Sequence, residues 1–405
     1  MTGSFSRRRA GFSRISLIKR GISPSYAEEG GICVLNQKCI RDHSINYAHS
    51  RRHNLDSKKV PAERYIQIGD VLVNSTGTGT LGRVAQVREQ PQEATTVDSH
   101  VTIVRPDRSI FYREFFGYML VIIEDALKEA GEGCGGQTEL SRSALAEQFS
   151  VSYPASLTKQ QRIVDILDEA FEALATAKAN AEQNLRNALA VFESHLEAAF
   201  NQKEEGWTEK RLGELADFKN GLNFSRNSSG QTLRMVGVGD FQERSIVPLD
   251  KLQCTTIDGN VTEDYLIREG DILTVRSNGS KDLVGRCMLV PAVNEMISYS
   301  GFIIRIRPDG QTTSPRFLLY FMKSRTARSR LTSDGGGTSI SNINQAKLAT
   351  LPVLLPPLKK QEEIANHLDA FSKESKRLTS IYERKIAALE ELKTSLLHQA
   401  FSGKI

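Results

Sequence analysis

Leu157-Thr-Lys-Gln-Gln-Arg-Ile-Val-Asp-Ile-Leu-Asp168 and Leu358-Lys-Lys-Gln-Glu-Glu-Ile-Ala-Asn-His-Leu-Asp369 are two versions of one segment. They align without a gap at an offset of 201: Leu157, Lys159, Gln160, Ile163, Leu167 and Asp168 recur as Leu358, Lys360, Gln361, Ile364, Leu368 and Asp369. The match runs on to Leu196, Ala199, Phe200 and Lys203, which recur as Leu397, Ala400, Phe401 and Lys404. Such a repeat outranks local patterns in deciding architecture.

The stretches preceding these segments repeat more loosely. Tyr65, Gly69, Asp70, Gly82 and Arg83 return as Tyr265, Gly270, Asp271, Gly285 and Arg286. Arg105-Pro106-Asp107 returns as Arg307-Pro308-Asp309, Phe115 and Tyr118 as Phe317 and Tyr320, and Gly135-Gly136-Gln137-Thr138 as Gly335-Gly336-Gly337-Thr338. The order is domain, helix, domain, helix. Domains that diverge while the helices stay similar imply two modules with different targets on one frame.

Both repeated segments read as long helices with an apolar seam. Ile163, Leu167, Ala170, Leu174, Ala177, Ala181, Leu185, Ala188, Phe192, Leu196 and Ala199 advance by three and four residues. Ile364, Leu368, Phe371, Ser375, Leu378, Tyr382, Leu389, Leu392 or Lys393, and Leu396 do the same in the second copy. A stripe this narrow is a coiled-coil seam rather than a broad core face. At 1.5 Å per residue each helix is ~68 Å long, too long for a small domain to cover, so the two are expected to pack on each other. Tyr153-Pro154 and Leu355-Pro356-Pro357 punctuate the domain ends, since proline suits a helix start but not its interior. The expected divisions are 19–154, 155–205, 206–354 and 355–405. Residues 1 to 18, with Ser and Arg but no acidic residue, read as a disordered leader outside the repeat. The second domain opens on Trp207-Thr208-Glu209-Lys210-Arg211-Leu212-Gly213, for which the first shows no counterpart.

With 405 residues, 39% hydrophobic and 25% charged, the chain has the composition of a globular protein with two ordinary cores. No apolar run reaches the ~18 residues of a membrane helix. Five cysteines without a Cys-x-x-Cys pair fit the reduced cytoplasm better than secretion, and Cys33 and Cys39 read as buried thiols rather than a metal pair. The net charge of +5 divides into +3 on residues 1–154, −4 on 155–205, +4 on 206–354 and +2 on 355–405. A basic excess concentrated in the domains fits a polyanionic partner.

Within the domains, Asp70-Val71-Leu72-Val73, Val101-Thr102-Ile103-Val104, Asp271-Ile272-Leu273-Thr274-Val275 and Phe302-Ile303-Ile304-Arg305-Ile306 read as strands. Residues 111–130 and 316–331 read as one helix per domain. Gly77-Thr78-Gly79-Thr80-Leu81-Gly82 satisfies the dinucleotide fingerprint Gly-x-Gly-x-x-Gly. That motif needs a following helix to hold the pyrophosphate, whereas Arg83-Val84-Ala85-Gln86-Val87 reads as a strand. A hairpin rich in Ser, Thr, Asn and Arg suits contact with phosphates and base edges better. No phosphate-binding Gly-x-x-x-x-Gly-Lys-Ser/Thr or His-Glu-x-x-His occurs, and Asp98-Ser99-His100 has triad residue types without triad geometry. No catalytic residue, cofactor or metal is therefore assigned. His43, His49 and His53 lie among Arg51, Arg52, Lys58 and Lys59, a basic loop read as solvated surface with DNA-backbone contact as the alternative.

The Trp-x-x-x-x-Leu-Gly opening at Trp207, the Gly-Gly-x-Thr segments and Leu355-Pro-Pro-Leu-x-x-Gln-x-x-Ile364, ending in Ala400-Phe401-Ser402-Gly403-Lys404, resemble the specificity subunit of type I restriction-modification systems. The resemblance covers nearly the whole chain after residue 19. It implies an α+β fold with two mixed α/β target recognition domains in tandem, each followed by a long α-helix. The helices would pack as an antiparallel coiled coil with pseudo-twofold symmetry. It further implies a non-catalytic subunit that reads a bipartite double-stranded DNA site, one half per domain, with the coiled coil setting the spacer. Two copies of an adenine methyltransferase subunit and the restriction/translocase subunits would be its partners, in the cytoplasm. The expected DNA contacts are Asn74, Ser75, Thr76, Thr78, Arg83, Gln137, Ser141 and Arg142 in the first domain. In the second they are Arg276, Ser277, Asn278, Lys281, Arg286, Thr338, Ser339, Ser341, Asn342 and Asn344. A coiled-coil scaffold with protein-binding heads is the alternative; a self-sufficient methyltransferase or nuclease would need a methyl-donor or metal site that the sequence does not show.

Overall fold

The computed structural model describes residues 7–11, 15–131, 138–201, 205–225, 227–242, 244–280, 282–332 and 342–405. The fold is mixed α/β and divides into two units, residues 1–180 with 385–405 and residues 181–384. The division falls within both long helices, Leu157–Asn201 and Leu358–Ser402, each of 45 residues. Each unit thus holds one domain, part of the first long helix and part of the second. No helix among the described residues is long and apolar enough to cross a membrane.

In the first unit an antiparallel sheet orders Ile15–Arg20, Val101–Pro106, Val71–Asn74 and Val84–Gln86. Its β-branched strands are buried, as a covered sheet requires. A second sheet pairs Thr95–Val97 in parallel with Ile32–Leu35, then Arg51–His53 and Tyr26–Ala27. Phe115, Phe116, Met119 and Leu120 join Ile163, Val164 and Leu167 of the first long helix and Leu397 and Ala400 of the second in one core. The second unit repeats the plan with Ala216–Asn220, Ile303–Pro308, Ile272–Val275 and Cys287–Leu289. There Phe317, Leu318 and Met322 pack with Leu196, Phe200 and Leu368.

The repeated residues are mostly fastenings. Asp70, 1% exposed, takes a bidentate pair from Arg105 at 2.7 and 2.8 Å, and Asp271 takes the same from Arg307 at 2.7 Å. Gln160 is fully buried at the head of its helix, accepting the Tyr112 amide at 2.7 Å and donating to the carbonyls of Ile110 and Pro154. Gln361 does the same with the Ser314 amide and the carbonyls of Thr312 and Pro356. A side-chain amide is the group that can accept once and donate twice at such a junction.

The seam residues of both helices are buried or half-buried, except Leu392, which is 47% exposed. Lys393 takes its place, with Nζ 5.5 Å from the Phe171 ring in the first unit. There Lys178 also pairs with Glu390. In the second unit Ser375 Oγ donates to the Ala188 carbonyl at 3.0 Å, and the rings of His195 and Phe371 lie 4.0 Å apart. Within each unit the partner number falls as the first helix advances, so the segments in contact run antiparallel.

Two expectations need correction. Residues 111–130 and 316–331 are not single helices: they divide into Arg113–Ile122 and Glu124–Glu129, and into Pro315–Lys323 and Arg325–Thr332. The second break is built by Ser324, extended at ψ 148°, whose hydroxyl donates to the Phe321 carbonyl and accepts the Ala327 amide. The stretch before residue 19 is not a structureless leader either. Arg7–Gly11 is a strand antiparallel to Ser150–Pro154, in the register that pairs Thr208–Arg211 with Pro352–Leu355. Arg7 faces Pro154 as Thr208 faces Leu355, again 201 residues on, so the first domain does have a counterpart of the Trp207 opening.

Candidate nucleic-acid interface

Strands Val71–Asn74 and Val84–Gln86 are joined by the loop carrying the Gly-x-Gly-x-x-Gly residues, and a strand does follow it. Gly77 has φ +104°, and a Cβ there would sit 2.4 Å from Gln37 Oε1, so the turn requires glycine. The exit of the first glycine-rich segment lies against this loop: the Leu140 amide donates to the Ser75 carbonyl at 2.9 Å, and Thr76 bridges Glu139. In the second domain the Ile343 amide donates to the Arg276 carbonyl at 2.8 Å, and Ser277 bridges Asn342. Two segments far apart in sequence, both expected to touch DNA, are therefore neighbours in each domain.

Not every expected contact is presented. Asn74 and Ser75 are buried; Asn74 Nδ2 donates to the Gln37 carbonyl at 3.0 Å, and Ser75 Oγ lies 2.6 Å from Thr102 Oγ1. They brace the loop from below, a correction to their reading as surface residues. Thr76 is half-buried with its hydroxyl 2.6 Å from His100 Nδ1, and Thr78 is exposed. Arg83 donates to the Gly79 carbonyl at 2.8 Å and so folds over its own loop, while Arg286 donates to the Asp282 carbonyl of its loop and to the Gln242 carbonyl of a separate segment. Ser141 and Asn344 are exposed helix caps, accepting the amides of Ala144 and Lys347. Arg142 and Asn342 are exposed, while Arg276, Ser277 and Asn278 are half-buried. Gln137, Lys281, Thr338, Ser339 and Ser341 lie outside the described residues.

Sequence reading missed supporting side chains. Gln37 holds the first loop through Asn74 and Thr80, and Arg20 holds the glycine-rich exit, donating to the Leu140 carbonyl and pairing with Glu139 at 2.8 Å. Glu124 accepts the Val84 amide at 2.9 Å and faces His43 and Lys128. His53, expected in a solvated loop, is fully buried: Nδ1 accepts the Ser25 amide and Nε2 donates to the Lys58 carbonyl at 2.8 Å. Cys33, Cys39 and Cys287 are buried and Cys254 is exposed. Among the described residues no three His, Cys, Asp or Glu side chains are grouped to hold a metal.

Residues 204–390 match the type I restriction modification DNA specificity domain. The chain is 27% identical over 262 residues to the type I restriction enzyme StySPI specificity subunit of Salmonella potsdam, covering 62% of this chain and 56% of that protein. It is 29% identical over 145 residues to the EcoKI specificity subunit of Escherichia coli K12, covering 36% of this chain and 31% of that one. In fold it resembles a chain solved in work on complex assembly and conformational transition of the type I R-M system, with TM-score 0.77, 18% identity and 98% and 97% of the two chains covered. It also resembles the HsdS subunit from Thermoanaerobacter tengcongensis, with TM-score 0.58, 17% identity and the same coverage. Domain match, relatives and fold thus agree in what the chain resembles: residues 204–390 match a type I restriction modification DNA specificity domain, and the fold of the whole chain is similar to that of an HsdS subunit.

Proposed function

We propose that this chain supplies DNA sequence specificity, each domain reading one half of a bipartite double-stranded site, while partner subunits supply the chemistry. The observation that carries this reading is the repeated pairing of the hairpin loop with the glycine-rich exit, Leu140 on Ser75 and Ile343 on Arg276. One frame presents different side chains in the two domains: Thr76, Thr78, Ser141 and Arg142 in the first, Ser277, Asn278, Asn342 and Asn344 in the second. Hydroxyls and amides match base edges and guanidinium groups match phosphates. Gln137, Lys281, Thr338, Ser339 and Ser341 adjoin these segments in sequence and belong to the proposed set. Arg83, Arg276 and Arg286 contribute positive charge and hold loop shape.

The antiparallel contacts in each unit support a coiled coil for the long helices, to which the duplication gives pseudo-twofold character. On it we place two adenine methyltransferase subunits and the restriction/translocase subunits, in the cytoplasm, as the resemblance to type I specificity subunits implies. No cofactor is assigned to this chain. The test replaces residues 7 to 154 by the equivalent part of a related subunit and maps methylation by the complex. One half of the motif should change; a change in both halves or in neither refutes two-domain reading. The chain without its methyltransferase should transfer no methyl group, and a protein-binding scaffold would retain no specific DNA.

A further inference from the structure

Phe302 is 59% exposed, in the turn between Ile297–Tyr299 and Ile303–Pro308. Its backbone is engaged on both sides: the amide donates to Ser300 Oγ at 3.4 Å, and the carbonyl accepts the Arg276 amide at 2.9 Å. Gly301 before it is pressed on Asn223, where a Cβ would sit 2.0 Å from Oδ1, and its amide donates to the Leu222 carbonyl at 2.7 Å. The turn is thus pinned, and the ring stays in solvent without the gain that burial would bring. Single exposed apolar residues are common, so position decides what this one means.

The same position in the first domain is His100, whose carbonyl accepts the Ser75 amide at 2.8 Å as that of Phe302 accepts the Arg276 amide. His100 is exposed, and Thr76 occupies its Nδ1 at 2.6 Å, which leaves Nε2 as the ring's outward polar atom. In both domains this residue stands where the hairpin loop meets the glycine-rich exit. It carries an imidazole in one domain and a phenyl in the other. Phe224, 43% exposed, follows two residues after Leu222, whose carbonyl holds the Gly301 amide.

We propose that this position determines specificity: Phe302 packs on a thymine methyl group in the major groove, and His100 hydrogen-bonds a base edge. The methyl group is the one apolar feature that bases offer in that groove. The inference rests on the DNA-reading function proposed above.

The test maps methylation by the full chain with its methyltransferase partner, comparing wild type, Phe302→Ala, Phe302→Leu and Ile246→Ala, a control residue 56% exposed. Phe302→Ala should lower the preference for thymine about tenfold at one position of the second half-site and leave the first half-site intact. Phe302→Leu should retain part of it, and Ile246→Ala all of it. Unchanged discrimination throughout the second half-site in Phe302→Ala overturns the inference. Loss of both half-sites marks a folding defect, and Phe302→Leu then decides by the same criterion. A wild-type complex without a split motif refutes the DNA-reading function itself, whereas a split motif copied unchanged by Phe302→Ala refutes only the role of this position.

Discussion

The Tyr118 hydroxyl donates to Asp168 Oδ1 at 2.5 Å, and Tyr320 makes the same bond to Asp369 at 2.5 Å in the other unit. Each bond ties a domain helix to a long helix about two turns beyond the buried glutamine, so the domain meets its helix at two fixed points. Burial first, then the neighbouring carboxylate, holds both phenols well above the usual tyrosine range.

Tyr118→Phe removes one of those points while keeping the ring. A hydrogen bond to a charged acceptor contributes about 1.5–3 kcal/mol. Arg88 still pairs with Asp168 at 2.9 Å, so the lower end of that range is expected. Urea unfolding of the purified chain measures it, and an unchanged midpoint would assign the load to Arg88.

Gln160→Glu should be worse than its size suggests. The substituted oxygen would face the carbonyls of Ile110 and Pro154 in place of the amide that now donates to both at 3.0 and 2.8 Å. Two acceptors lose their donor next to a buried charge, at about 2–4 kcal/mol. Gln361→Glu should match it in the other domain, and a midpoint near wild type for either would contradict the clamp.

Glu124 gives the first hairpin a pH dependence. Burial works to raise its carboxyl pKa, but bonds from His43, Lys128 and the Val84 amide outweigh it and bring the pKa from 4.5 to about 2. Because the folded-state value is depressed, the stabilisation is complete above about pH 4.5 and is lost as pH falls toward 2. After solvent screening it is about 1–2 kcal/mol. Glu124→Gln should be less stable than wild type at pH 6 and converge with it in acid; a gap that stays constant with pH would rule the carboxylate out.

Two arginines should behave differently on DNA. Arg142 is exposed, and Arg142→Ala should weaken binding to all sequences and flatten the salt dependence by about one phosphate. Arg286 is committed to the carbonyls of Asp282 and Gln242, so Arg286→Ala should broaden the second half-site while leaving the salt slope unchanged. The reverse pattern would mean that the loop opens on binding.

Four residues inserted within 175–182 lengthen the first long helix by ~6 Å. Since DNA rises 3.4 Å per base pair, the preferred spacer should grow by roughly one or two base pairs with both half-sites retained. The insertion turns the seam by about 40°, which a stutter can absorb. A methylation map reads the outcome: full activity with the old spacer would reduce the helices to tethers.

The long helices were legible because their seam and their ungapped repeat are both properties of local sequence. The hairpins were legible from β-branched runs and from glycines. Arg7–Gly11 was not, because Arg-Arg-Arg-Ala-Gly has no alternation and its partner strand lies about 140 residues away. Asn74 and Ser75 look like loop surface by residue type, and only the tertiary positions of Gln37 and Thr102 turn them inward. The breaks after Ile122 and Lys323 escaped detection because apolar spacing continues across them and no proline or glycine marks them. Gln160 and Gln361 carried a usable signal, a polar residue repeated at the same place in two apolar seams.

The strand pair Arg7–Gly11 with Ser150–Pro154, matched by Thr208–Arg211 with Pro352–Leu355, has a genetic consequence. The chain enters and leaves each domain through adjacent strands, so everything between is a cassette with a standard plug. Recombination with crossovers in those strands would transplant a whole reading head without disturbing the helices, and a circular permutant joined there should fold. If each domain reads one half-site as proposed, such an exchange would reassort half-sites by unit.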